Sequence, residues 1–128
     1  MKTFLLSRIA SLGHALRGWV YVMQTQHNAR IHAVAAIFVF VLGVWLRVPM
    51  RDWAVLILTI ATVFAAEFVN TAIEAVVDLA SPQKHPLAKV GKDVGAAAVL
   101  IAALAAVLIG LLILGPPLLV KLSFLFGK

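Results

Sequence analysis

Glu67-Phe68-Val69-Asn70-Thr71-Ala72-Ile73-Glu74-Ala75-Val76-Val77-Asp78 carries three of the chain's five acidic residues, at the end of a long apolar run. A membrane helix keeps no carboxylate there without a use for it. A helix turns about 100° per residue, so steps of seven and eleven place Glu67, Glu74 and Asp78 within roughly 40° of one another. Asn70 and Thr71 flank this stripe at the i+3 and i+4 positions. Glu67 and Glu74 stand about 10 Å apart along the axis, one carboxylate deeper than the other.

The rest of the chain explains how such a stripe is held. Hydrophobic residues make up 63% of the 128 residues and charged residues 12%. That exceeds the usual apolar share of about 45–50% and makes the bilayer the solvent for most of the surface. The net charge is +6, but the basic residues flank apolar spans instead of forming a patch. Anionic headgroups, not nucleic acid, are the expected counter-charge. Without cysteine there are no disulfides, thiol catalysis or thiolate metal sites. The short run after Lys2 is too brief for a signal peptide.

Residues 3–27 predict an amphipathic surface helix, with Phe4, Leu5, Ile9, Leu12, Leu16, Trp19, Val20 and Met23 at three- and four-residue spacing. A polar cluster, Thr25 to His32, precedes a first transmembrane span over 31–47. Val48 to Asp52 reads as a tight turn, with Pro49 blocking continuation and Asp52 as the next N-cap. The second span covers 53–79 and carries the acidic stripe. Ser81-Pro82 ends it, and a loop runs through Asp93. The third span is 94–114, closed by Gly115-Pro116-Pro117, and 115–128 is an interfacial tail. The expected fold is one all-α membrane domain: a surface helix plus three transmembrane helices. Small residues along the third span, from Gly91 and Gly95 to Ala106, suit close helix approach and a homo-oligomer. Trp19, Trp45 and Trp53 read as interface anchors.

Lys and Arg set the expected orientation. Lys2, Arg8, Arg17, Arg30, Lys84, Lys89 and Lys92 fall on one side, against Arg47, Arg51, Lys121 and Lys128 on the other. The majority side, with the acidic stripe, is therefore expected to face the cytoplasm.

No Walker loop, dinucleotide fingerprint, zinc-protease motif or serine-nucleophile motif is present. The remaining chemistry is a carboxylate-rich interfacial site beside a basic segment. Two carboxylates and a phosphate suit Mg²⁺. Lys92 offers charge to a phosphate. Glu67, the deeper acid, suits a general base acting on a hydroxyl at headgroup depth. Together these point to phosphoryl transfer to an amphiphile. A non-enzymatic proton- or ion-conducting subunit also accounts for buried acids but gives Lys92-Asp93 no role. A lipid phosphatase lacks its nucleophile and histidine pattern.

The stretch Glu67 to Asp78 resembles the signature of the small prokaryotic diacylglycerol kinase family, which includes undecaprenol kinases. His85-Pro86-Leu87-Ala88-Lys89, Lys92-Asp93, Ala96-Ala97-Ala98-Val99 and Asn28-Ala29-Arg30-Ile31-His32 extend the likeness. The resemblance implies a homotrimeric membrane lipid kinase of the prokaryotic inner (plasma) membrane, with sites between subunits that open to the cytoplasm. It implies ATP as co-substrate, Mg²⁺ as cofactor, and undecaprenol or diacylglycerol as acceptor. It makes Glu67 the general base and Asn70 the residue that positions it and the lipid hydroxyl. It makes Glu74 a metal ligand, and Asp78, Lys92, Asp93, Arg17, Gly13 and His85 the nucleotide side. One position departs from the family pattern: Gln26 stands where a second metal-binding Glu is common, and a neutral amide oxygen is the weaker ligand. The loop and the polar cluster lean toward the undecaprenol branch.

Overall fold

The computed structural model describes residues 2–126, with side chains over 7–125. The side chains of Lys2, Phe4 and Leu5, and Lys128, lie outside the described residues. Four helices follow one another: α1 (Lys2–Thr25), α2 (His27–Leu46), α3 (Met50–Ala80) and α4 (Pro86–Phe126). There is no strand among the described residues. The last three helices are long and apolar enough to cross a membrane.

Gln26 alone separates α1 from α2; its backbone is extended (φ −98°, ψ 116°). The second helix therefore begins at His27, four residues before the expected start of the first span. The cluster Asn28-Ala29-Arg30-Ile31-His32 is helical, and α2 opens with free backbone N–H groups in that first turn.

The α2–α3 connection is tight for a specific reason. Arg47 adopts the left-handed conformation (φ 57°). Its N–H donates to the Val44 carbonyl at 3.1 Å, and the Val48 N–H donates to Gly43 at 3.0 Å. This pair of bonds closes the helix in a Schellman arrangement. The N-cap of α3 is Pro49, not Asp52. The Pro49 carbonyl accepts from the Asp52 and Trp53 N–H groups at 2.9 and 3.2 Å. Asp52 lies inside the first turn, where its charge meets the positive end of the helix.

The expected loop over 81–93 shrinks to Ser81–His85. Pro86 does not break a helix here; it starts one, at the first helical position where its missing N–H costs nothing. His85 caps it: its Nδ1 accepts from the Leu87 N–H at 3.2 Å. Lys89, Lys92 and Asp93 consequently sit on the first turns of α4, not in a loop.

Nor does Gly115-Pro116-Pro117 close the last span. Helix α4 runs through both prolines to Phe126. Proline is tolerated in a membrane helix when neighbouring helices compensate for the lost bonds. Leu114 is buried with Val48 and Leu56 at the α2–α3 corner. Lys121 Nζ donates to the Trp45 carbonyl at 2.6 Å and lies 4.1 Å from the centre of the Trp45 ring. The expected tail is thus tied to the end of α2. It supplies the far part of the third span.

The closest packing is between the antiparallel helices α3 and α4. Gly91 and Gly95 serve this contact within the chain: a Cβ on Gly91 would touch Val77, and one on Gly95 would overlap Asn70 Oδ1. Trp53 is half-buried and packs against α2. It stacks on Phe40 at 5.3 Å, and a Cβ on Gly43 would lie 2.8 Å from its ring. Helix α1 is pinned to α3 by Trp19, whose ring centre lies 5.3 Å from that of Phe64 and 4.9 Å from that of Phe68.

These contacts set the levels of the bundle. Lys121 and Trp45 share one end. At the other, the first turn of α2 reaches only the level of Glu67, whereas α3 and α4 continue about 16 Å further to Asp78 and Lys92. The upper thirds of these two helices stand beyond α2.

Candidate active site

Glu67 is 2% exposed, a buried charged side chain with Asn70 and Thr71 buried beside it. The uncharged approach from Ile60 to Ala66 delivers it there, and the 3.6-residue repeat places Asn70, Thr71 and Glu74 on the same stripe. The Thr71 hydroxyl donates to the Glu67 carbonyl at 2.9 Å, so it is spent on the helix backbone. Asn70 Nδ2 donates to Glu74 Oε1 at 3.0 Å.

From α2, the Ala29 backbone N–H donates to the Glu67 carboxylate, and His32 lies about one turn further along the same helix. Ala29 is completely buried. Its amide is one of the free donors of the first turn of α2, a natural seat for a carboxylate. Two polar atoms in this cluster have no hydrogen-bond partner: Glu67 Oε2 and Asn70 Oδ1. Buried polar atoms are rarely left so.

Above this cluster, Lys92 Nζ lies 2.6 Å from Asp78 Oδ1. The pair borders an open pocket of about 600 Å³, with His85, Lys84 and Lys89 on its walls. Asp93 is exposed and does not line this pocket, and neither do Gly13 and Arg17. Arg17 instead donates to His14 Nδ1 at 2.8 Å on the exposed face of α1. Gly13 has open space around it. Gln26 is half-buried one turn above Ala29, and its side chain makes no capping bond.

The stripe is thus assembled as its spacing predicts, in two tiers: Glu67, Asn70 and Glu74 below, Asp78 with Lys92 and His85 above. No group of three or more His, Asp and Glu residues able to enclose a metal occurs among the described residues. Mg²⁺ does not need one; it commonly takes one or two carboxylates and completes its shell with water and phosphate. The oxygens of Glu74 and the free amide of Gln26 are hard donors of the right type. The sequence reading named Gly95 only as a small residue for helix approach and gave Ala29 no role of its own. Neither has side-chain chemistry; one acts through its N–H and the other by leaving room.

A family model described as prokaryotic diacylglycerol kinase matches residues 13–114. The chain is 41% identical over 108 residues to the undecaprenol kinase of Bacillus subtilis (strain 168), covering 84% of this chain and 88% of that one. It is 44% identical over 112 residues to a diacylglycerol kinase of Synechocystis sp., covering 87% of this chain and 64% of that one. It is 35% identical over 100 residues to the diacylglycerol kinase of Escherichia coli (strain K12), with 78% and 82% covered. Residues 115–128 lie beyond the matched region.

Proposed function

The chain belongs to the prokaryotic diacylglycerol kinase family and is a membrane lipid kinase, and from that premise we propose that it transfers the γ-phosphate of ATP to the hydroxyl of undecaprenol or diacylglycerol at the cytoplasmic face of a prokaryotic plasma membrane. The observation that carries this reading is the buried Glu67 carboxylate, whose Oε2 has no hydrogen-bond partner, about 16 Å below Asp78 on the same helix, where Asp78 pairs with Lys92 of α4.

In this reading a lipid hydroxyl reaches Glu67 from within the bilayer. Glu67 takes its proton, the hydroxyl oxygen forms a bond to the γ-phosphorus, and the bond to the bridging oxygen breaks, releasing ADP. The Asn70 amide fixes Glu74, and its carbonyl oxygen lies against Gly95 of α4. Lys92 exchanges Asp78 for phosphate oxygens, and His85, besides capping α4, borders the nucleotide. Glu74 and Gln26 are the residues that would hold Mg²⁺, which when bound neutralises charge on the phosphates. Gly13, Arg17 and Asp93 stand outside the pocket of this chain. They serve the nucleotide across a subunit boundary in a homotrimer, which also covers the exposed apolar faces. The conducting-subunit alternative is set aside, because it accounts neither for family membership nor for the Asp78–Lys92 tier.

Purified protein in mixed micelles with Mg·ATP should phosphorylate undecaprenol or diacylglycerol. Absence of lipid phosphate with both acceptors, at any Mg²⁺ level, would sink the reading.

A further inference from the structure

The end of the bundle opposite Glu67 gathers cations that the phosphoryl transfer leaves unused. Arg47 sits in the α2–α3 turn, Arg51 on the first turn of α3, and Lys121 reaches across from α4 to the Trp45 carbonyl. Asp52 is the acidic residue of this end, and among the described residues no carboxylate pairs with any of the three cations. An ammonium has three hydrogens to donate. Lys121 gives one to Trp45 and keeps the others free.

Arg47 is an unusual choice for its backbone. It is held at φ 57°, a conformation that glycine adopts freely and that a residue with a Cβ resists. Its side chain is exposed and makes no hydrogen bond or ion pair among the described residues. Nothing inside the chain accounts for arginine there, which turns attention to a ligand outside it.

Depth and surroundings say which ligand. Helix α2 has 20 residues and is about 30 Å long, the thickness of the hydrocarbon layer. Arg47 and Arg51, just past its end, therefore stand at the level of headgroup phosphates, and the exposed Trp45 ring marks the same interface. Toward the bilayer from these cations, Val41, Val44 and Leu119 expose apolar surface. A molecule with an anionic head and acyl chains matches both parts; a free anion matches only the first. Lys121 also lies outside residues 13–114, the region that the family model matches, so the third cation comes from the distal part of α4.

We propose that Arg47, Arg51 and Lys121 bind the phosphodiester headgroup of an anionic phospholipid in the leaflet opposite the catalytic level. The site goes beyond the kinase reading and does not depend on it. The two guanidinium forks take phosphate oxygens, and Lys121 adds its charge from its seat on Trp45. A lipid so held ties the α2–α3 turn to the end of α4, and binding to the folded chain alone raises its stability.

The test is thermal unfolding of the purified protein in dodecyl maltoside, titrated with dioleoylphosphatidylglycerol, dioleoylphosphatidylcholine or inorganic phosphate. Phosphatidylglycerol should raise the wild-type midpoint saturably, by about 5 °C, and the other two should do far less. Arg51→Gln and Arg47→Gly should each weaken the apparent affinity about fivefold, and the double variant about 25-fold. In lipid-free detergent Arg47→Gly should unfold no earlier than wild type, because glycine relaxes the turn. Arg30→Gln removes the same charge at the catalytic-side interface and should leave the affinity unchanged. No response of wild type to phosphatidylglycerol, or undiminished affinity in the double variant, would overturn the proposal. Equal protection by phosphatidylcholine would assign the effect to acyl contact, equal protection by phosphate to a free-anion site, and equal weakening by Arg30→Gln to unspecific charge attraction. Each of these overturns it as well. Arg51→Gln decides the matter if Arg47→Gly does not fold.

Discussion

Asn70 and Gly95 are in direct register across the α3–α4 contact, with Asn70 Oδ1 occupying the space that any side chain at position 95 would need. The buried amide is held from two sides: its Nδ2 is bound to Glu74, and its oxygen is pressed toward a backbone with no Cβ. Gly95→Ala should therefore cost about 1–3 kcal/mol, as overpacking of a fitted contact does. It should also lower kcat, because Asn70 must move away from Glu74. Thermal unfolding in detergent and steady-state rates on the same preparation check both. A variant as active and as stable as wild type would show that Asn70 is free to sit elsewhere.

Glu67→Gln keeps the size of the side chain and removes its basicity. General-base assistance is worth about 10²–10⁴ in rate, so kcat should fall by about that factor. The fold should persist, since an amide at this position still accepts from Ala29. Turnover at the wild-type rate would take the proton-accepting role away from Glu67.

The Asp78–Lys92 pair is too exposed to matter much for stability, at 65% and 38% side-chain exposure. Pairs of this kind contribute about 0–1 kcal/mol. Lys92→Met should leave the unfolding midpoint nearly in place while raising the KM for ATP about tenfold, the loss of one charge-assisted contact to phosphate. The opposite pattern, lower stability with an unchanged KM, would make the pair a purely architectural clasp.

Lys121 tests whether the last turns of α4 belong to the bundle. Lys121→Met loses the bond to the Trp45 carbonyl and the contact with its ring. A destabilisation of about 1–2 kcal/mol is expected. Since Lys121 is remote from Glu67, kcat should be unaffected. Deletion of residues 119–128 should destabilise at least as much.

The helices and the acidic stripe could be read from periodicity alone, because burying a carboxylate at helical spacing inside an apolar run leaves few other solutions. The ends of α4 could not. Pro86 and Gly115-Pro116-Pro117 look alike as punctuation, yet one starts a helix and the other sits within one. The difference comes from packing: Leu114 and Lys121 hold the distal part against α2 and the α2–α3 corner, and an apolar stretch such as Leu118 to Phe126 has nowhere better to go. Ala29 was equally hidden. Its contribution is a free amide, which exists only because α2 starts at His27 rather than after the polar cluster. Gly13, Arg17 and Gln26 stand apart from the pocket that Asp78 and Lys92 border, so nothing within this chain reveals a role for them.

The climb of three turns between Glu67 and Asp78 has a kinetic meaning. On the proposed reading one reactant arrives sideways through oil and the other from above through water, so neither stands in the other's doorway. A lipid need never be lifted out of its leaflet to react; only its phosphate, once attached, has to be left in the aqueous layer. On that geometry neither binding order is imposed, and saturating one substrate should not slow the entry of the other.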